Sequence, residues 1–127
     1  MKQYANFIKV IPSFNVQSII DGTITLQSGK TFDEFPTFND VEPKEEPVDT
    51  KAGLQYDIEL TVGIERTNYD NRENYTQSAP VIIVIYDDDK TNEFIIGDLN
   101  NPAKVFVTPN RDIDEFNFQW ISKNPVL

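Results

Sequence analysis

The sequence predicts an all-β domain: an antiparallel β-sandwich or open barrel of about seven to eight strands, with at most one short helix. Three stretches carry that expectation. "GLQYDIELTVGIE" (53–65) alternates without a break. Leu54, Tyr56, Ile58, Leu60, Val62 and Ile64 fall on one side, and Gln55, Asp57, Glu59, Thr61, Gly63 and Glu65 on the other. A strand with this period belongs to an antiparallel sheet with one covered face and one solvated or partner-facing face. "VIIVIY" (81–86) is β-branched at nearly every position and reads as a central strand buried on both faces. Asp21-Gly22 stands between the apolar runs "NVQSII" and "TITLQSG". That dipeptide marks a hairpin, because a type I′ turn needs positive φ at both central positions.

The remaining elements follow in chain order. "ANFIKVI" (5–11) is a first strand ended by Pro12, and Ser28-Gly29-Lys30 is a turn. The segment 30–53 is acidic and broken by Pro36, Pro43 and Pro47, which block regular helix and central strand. It carries Phe32, Phe35 and Phe38, which a purely solvated linker rarely does. Either these rings cap one end of the sheet, or the segment is an arm that docks on another subunit and orders as it binds. "RTNYDNRENYTQSA" is polar around Tyr69 and Tyr75 and suits a short helical turn or loop. "DDDKTN" is a turn, "EFIIGD" a returning strand, and "KVFVT" and "DIDEFNFQW" two further strands. The second puts Phe116, Phe118 and Trp120 on one face. The expected organisation is one domain over 1–127, with 31–53 an extended acidic arm or loop.

Composition narrows the chemistry. With 21 acids against 11 bases the net charge is −10. Binding to phosphate backbones or to an anionic membrane surface needs clustered Lys and Arg, so neither is expected. The longest apolar run, 81–86, is too short to span a bilayer, and no secretory signal is visible at the start of the chain. There is no Cys and no His. Disulfides, thiolate nucleophiles and thiolate zinc sites are excluded, and the side chain best suited to proton transfer near neutral pH is missing. No enzyme activity and no cofactor are expected.

Several constellations of polar and aromatic residues each have a chemical reading and a plainer one. Asp87, Asp88 and Asp89 offer carboxylates to a hard cation, and Asp98, Asn100 and Asn101 could complete such a site. The run lacks the spacing of a calcium loop and reads more simply as a solvated turn whose charge blocks edge pairing. Asp57 and Glu59 share the polar face of the long strand, a spacing open to a glycosidase pair, though acids on a solvated strand face are common. Trp120 with Phe116 and Phe118 is either a core stripe or a platform for an interface or a sugar. "NYT" (74–76) matches a glycosylation acceptor.

The order "IIDGTITLQSGKTF", a proline-broken segment, "GLQYDIELTVGIE", then "PVIIVIYDDDKTNEFIIGD", "NPAKVFV" and a terminal "NPVL" resembles small β-rich virion structural proteins of tailed phages. These are the neck and tail-completion, connector and tail-tube-associated types. The resemblance implies a structural assembly protein that forms a homo-oligomeric ring or docks on neighbouring virion proteins, located in the virion. An acidic conduit wall would keep DNA from sticking. The candidate interface residues are Phe32, Phe35, Phe38, Tyr69 and Tyr75. The alternative is an extracellular β-sandwich module that binds carbohydrate or protein.

Overall fold

The computed structural model describes residues 4–37, 43–65, 75, 79–87, 93–110 and 113–124. Among them the chain forms ten strands and a single 3-10 turn, Ser13–Asn15. The strands are β1 (Tyr4–Pro12), β2 (Val16–Ile20), β3 (Thr23–Leu26), β4 (Asp33–Pro36) and β5 (Lys44–Thr50), then β6 (Gly53–Glu65), β7 (Ala79–Asp87), β8 (Glu93–Ile96), β9 (Ala103–Asn110) and β10 (Ile113–Ser122). Eight of them make one antiparallel sheet in the order β4-β1-β7-β9-β10-β6-β5, with β8 also paired to β7. The remaining two, β2 and β3, form a separate hairpin. The fold is therefore all-β and antiparallel, as the alternating and continuous apolar runs predict.

The large sheet curls. Phe35 on β4 and Phe116 on β10 lie four strand spacings apart along it. In a flat sheet that is about 19 Å. Their ring centroids are 5.5 Å apart. The inner face thus wraps around a shared core without closing: β4 and β5 are the two terminal strands of the path. That core takes Ile8 and Val10 from β1, Ile58 to Ile64 in alternation from β6, Val81, Ile83 and Ile85 from β7, and Phe116 and Phe118 from β10.

A second, smaller core lies on the opposite face of β1 and β7. Ile11 and Ile82 are fully buried there under Val16, with Ile19, Ile24 and Leu26 of the β2–β3 hairpin packed against them. This is why 81–86 reads as apolar throughout: odd positions fill the inner core and Ile82 the outer one. The hairpin turns on Asp21 (φ 50°) and Gly22 (φ 77°), the paired positive values of a type I′ turn.

The acidic segment 31–53 contributes both terminal strands. Pro36 ends β4, and Pro47 lies within β5. A missing N–H is best tolerated at a sheet edge or near a strand end, so Pro36, Pro47 and the topology agree.

One line of the sheet is interrupted. Ile96 at the end of β8 faces Ile83, and Ala103 at the start of β9 faces Val81. The chain leaves the ladder at Gly97 and rejoins it at Ala103. Gly97 has φ 111°, and a Cβ there would meet the Val81 carbonyl oxygen at 3.0 Å and the Ala103 nitrogen at 3.2 Å. Only glycine fits this exit. The excursion 97–102 is held as a tight turn, with Asp98 and Asn101 exchanging backbone hydrogen bonds at 3.1 and 3.2 Å.

Candidate functional site

The predicted interface aromatics separate into different environments. Phe35 is 3% exposed and packs edge-on against Tyr75 at 6.0 Å and beside Phe116. Tyr75 is 1% exposed and also contacts Phe116 at 6.0 Å. Its hydroxyl donates to the Asp33 carboxylate and, at 3.4 Å, to the Val10 carbonyl. Both rings fill the chain's own core, at the place where the curled sheet brings β4 toward β10. Phe32 is half-buried against the outer core. Phe38 and Tyr69 lie outside the described residues, as do Asp88, Asp89 and most of the polar stretch around Tyr75.

Beside Phe32 the outer face of β1 and β7 stays open where the hairpin stops. Lys9 sits 3.5 Å from Glu34 and 5.4 Å from the centre of the Tyr86 ring. Tyr86 donates to Glu93 at 3.0 Å and stacks on Phe7 at 5.3 Å. A hydrogen bond to Tyr86, with the Tyr86 and Glu34 charges adding to it, holds the Lys9 ammonium above the usual lysine range against the opposing effect of burial. Lys9 and Phe32 line two adjoining shallow hollows. The strand register brings these residues together: Lys9 is opposite Glu34 on one side and Val84 on the other. Nothing in the local sequence announces it.

The third feature is a cleft of about 720 Å³ at the end of β10, between that strand and the 97–102 excursion. Trp120 lines it, flanked by Asp98, Asn100 and Asn101 on the loop and by Gln55 and Lys123 on the other side. The expected stripe on β10 splits: Phe116 and Phe118 are in the core, while Trp120 is half-buried and packs against it. Its Nε1 donates to the Asn101 carbonyl at 2.7 Å, and the Asn101 side chain donates to the Ile121 carbonyl at 2.7 Å. Asp98 Oδ1 accepts from the Leu99 N–H at 2.7 Å. The loop is therefore bound to the strand end at both its backbone and side chains. Asp98, Asn100 and Asn101, expected to complete a cation site with Asp87 to Asp89, line this cleft around an indole, and Asp88 and Asp89 lie outside the described residues; among the described residues, no three acids, histidines or cysteines gather as a metal site.

The outer face of β5, β6, β10 and β9 is a mixed polar surface. One row runs Lys44, Glu59, Gln119 and Lys104 across the four strands. In the next, Thr61 donates to Asn117 at 3.0 Å. Asp57 and Glu59 lie in this face, apart from the cleft's lining. Leu54 and Tyr56 keep the alternation of β6 but leave the core: β10 ends at Ser122 opposite Tyr56, so Leu54 overhangs and is 51% exposed. Asp114 is fully buried on the inner side of β10, a polar group that the apolar pattern around it gave no reason to place there. Set against protein-family models, curated proteins and solved structures, the chain matches none.

Proposed function

We propose that this chain is a structural assembly protein that acts by docking on copies of itself or on neighbouring chains, with no catalytic step. The neck or tail of a tailed phage is the setting its sequence resembles. The observation that carries the reading is the unclosed sheet. Its edge strand β5 has no second neighbour among the described residues, while Val48 on it and Leu54 beside it are exposed. An open edge offers backbone donors and acceptors to an added strand, which is a common way for one chain to extend another's sheet. Pro47 and the charges of Lys44, Glu45, Glu46 and Asp49 disfavour indiscriminate pairing, so a partner must match them in register and sign.

Light scattering and native mass measurement across a concentration series test this. The expected result is a discrete oligomer of closed stoichiometry. Asp49→Pro should dissociate it while the melting temperature stays near that of the parent, because a second proline blocks the edge without touching the core. A chain that remains monomeric up to its solubility limit removes the self-assembly reading. An oligomer indifferent to Asp49→Pro removes β5 as the contact.

A further inference from the structure

We propose that the cleft beside Trp120 binds a neutral, hydroxyl-rich saccharide. The inference stands apart from the assembly reading, since the cleft lies at the end of β10 and uses none of the β5 edge.

Three observations converge. The first is shape: about 720 Å³ falls within the range of small-ligand sites, roughly 300–1,000 Å³. The second is the lining. A cleft for an apolar ligand would be walled by aliphatic and aromatic side chains with a few polar groups. Here apolar and polar groups share the wall: the indole and Ile121 stand among the amides of Gln55, Asn100 and Asn101, the Asp98 carboxylate and the Lys123 ammonium. A sugar ring has the matching surface. Its C–H face lies against an aromatic π-surface, whose face is electron-rich. Its hydroxyls both donate and accept, as amides do, and a carboxylate accepts from two at once.

The third observation is order. The indole N–H is already spent on the Asn101 carbonyl, and the Asn101 amide on Ile121, so the ring and the loop are fixed against each other before any ligand arrives. Less conformational freedom is then lost on binding. Charge selects within the saccharides. Asp98 offsets Lys123 inside the cleft and the chain as a whole carries −10, which disfavours uronates, sialylated glycans and phosphates.

Trp120 is the only tryptophan in the chain, so its emission reports on this cleft alone. The full chain is titrated with maltotetraose, cellotetraose and chitotetraose as neutral probes and with tetragalacturonate as the acidic one, by tryptophan fluorescence and by calorimetry. A saturable spectral change with at least one neutral probe is expected. Asn100→Ala, at an exposed loop position, should weaken that binding by about tenfold, the loss of one good hydrogen bond. Trp120→Phe, read by calorimetry and checked for folding by circular dichroism, should weaken it further. The proposal is overturned if none of the three neutral probes saturates, if tetragalacturonate binds more tightly than they do, or if Asn100→Ala binds as the parent does.

Discussion

The hydroxyl of Tyr75 donates to the carboxylate of Asp33, and the ring beneath it contacts both Phe35 and Phe116. One side chain thus touches an edge strand and an interior strand of a curled sheet. Tyr75→Phe keeps the ring contacts and removes the hydrogen bond. It should cost about 1–3 kcal/mol in urea unfolding, the range for losing a bond to a charged group and leaving it short of a donor. Tyr75→Ala also empties the space between the rings and should cost about 3–5 kcal/mol. If both variants unfold with the parent, this contact does not hold the curl.

Ile83 and Ile121 separate core from surface. Ile83 is fully buried in the doubly covered strand, and Ile121 is 53% exposed on the outer face of β10. Ile83→Asp buries an unpaired carboxylate at a cost of several kcal/mol, enough to unfold a domain of ordinary stability. Ile121→Asp should change stability by no more than about 0.5 kcal/mol. Far-ultraviolet circular dichroism during a thermal melt distinguishes them; equal melting temperatures would show that 81–86 is not the core strand.

Gly97 and Gly22 differ in what surrounds them. Both have positive φ, but a Cβ at Gly22 meets nothing within 4 Å, whereas one at Gly97 runs into backbone on both sides. Gly22→Ala should cost only the conformational penalty, about 1–2 kcal/mol. Gly97→Ala adds close contacts of 3.0 Å to the Val81 carbonyl and 3.2 Å to the Ala103 nitrogen, which the paired backbone must relieve by shifting, so its loss should be larger. Paired denaturant titrations decide it, and equal losses would refute the close approach.

Lys9 gives a pH dependence of known sign. Its ammonium is held above the usual range, so the folded chain binds that proton more tightly than the unfolded chain does. The stabilisation is fully present below the unfolded value, about 10.4, and is lost as pH rises through the folded one. The pair with Glu34 is partly exposed and contributes at most about 1 kcal/mol. The stability difference between the parent and Lys9→Met should be flat from about pH 6 to 9 and fall in the parent's disfavour above about 10.5. A flat difference across that upper limit would remove Lys9 from the account.

The all-β class, the two-faced burial of 81–86 and the Asp21-Gly22 hairpin were legible because each rests on a local rule: period, β-branching, positive φ. The prolines of 31–53 bar a central strand, and β4 and β5 are indeed the terminal ones. The step they could not supply was that edge strands admit them, so β4 and β5 were not distinguished from an arm. The aromatics were harder. Phe35 is spaced from Phe32 and Phe38 as if in a loose segment, yet its partner Phe116 lies 81 positions further on (116 − 35), brought near only by the curl. Leu54 failed in the opposite direction: its alternation is perfect, but burial needs a neighbour, and β10 stops short of it. The cleft was half visible, since Trp120, Asn100 and Asn101 drew attention singly. Gln55 and Lys123 joined them only through register.

The break between Ile96 and Ala103 has a bearing on how this chain can vary. Both ends of the excursion are clamped to β7, two residues apart on the same strand, and the residues between them carry no share of the core except where Leu99 leans on the outer one. Lengthening the excursion, or changing Asp98 and Asn100 while Leu99 and Asn101 stay, therefore shifts no register and moves no buried side chain of β8 or β9. Specificity and stability are encoded in separate stretches of the same strand line, so the cleft can be re-lettered by substitution or insertion while the scaffold that presents it stays constant.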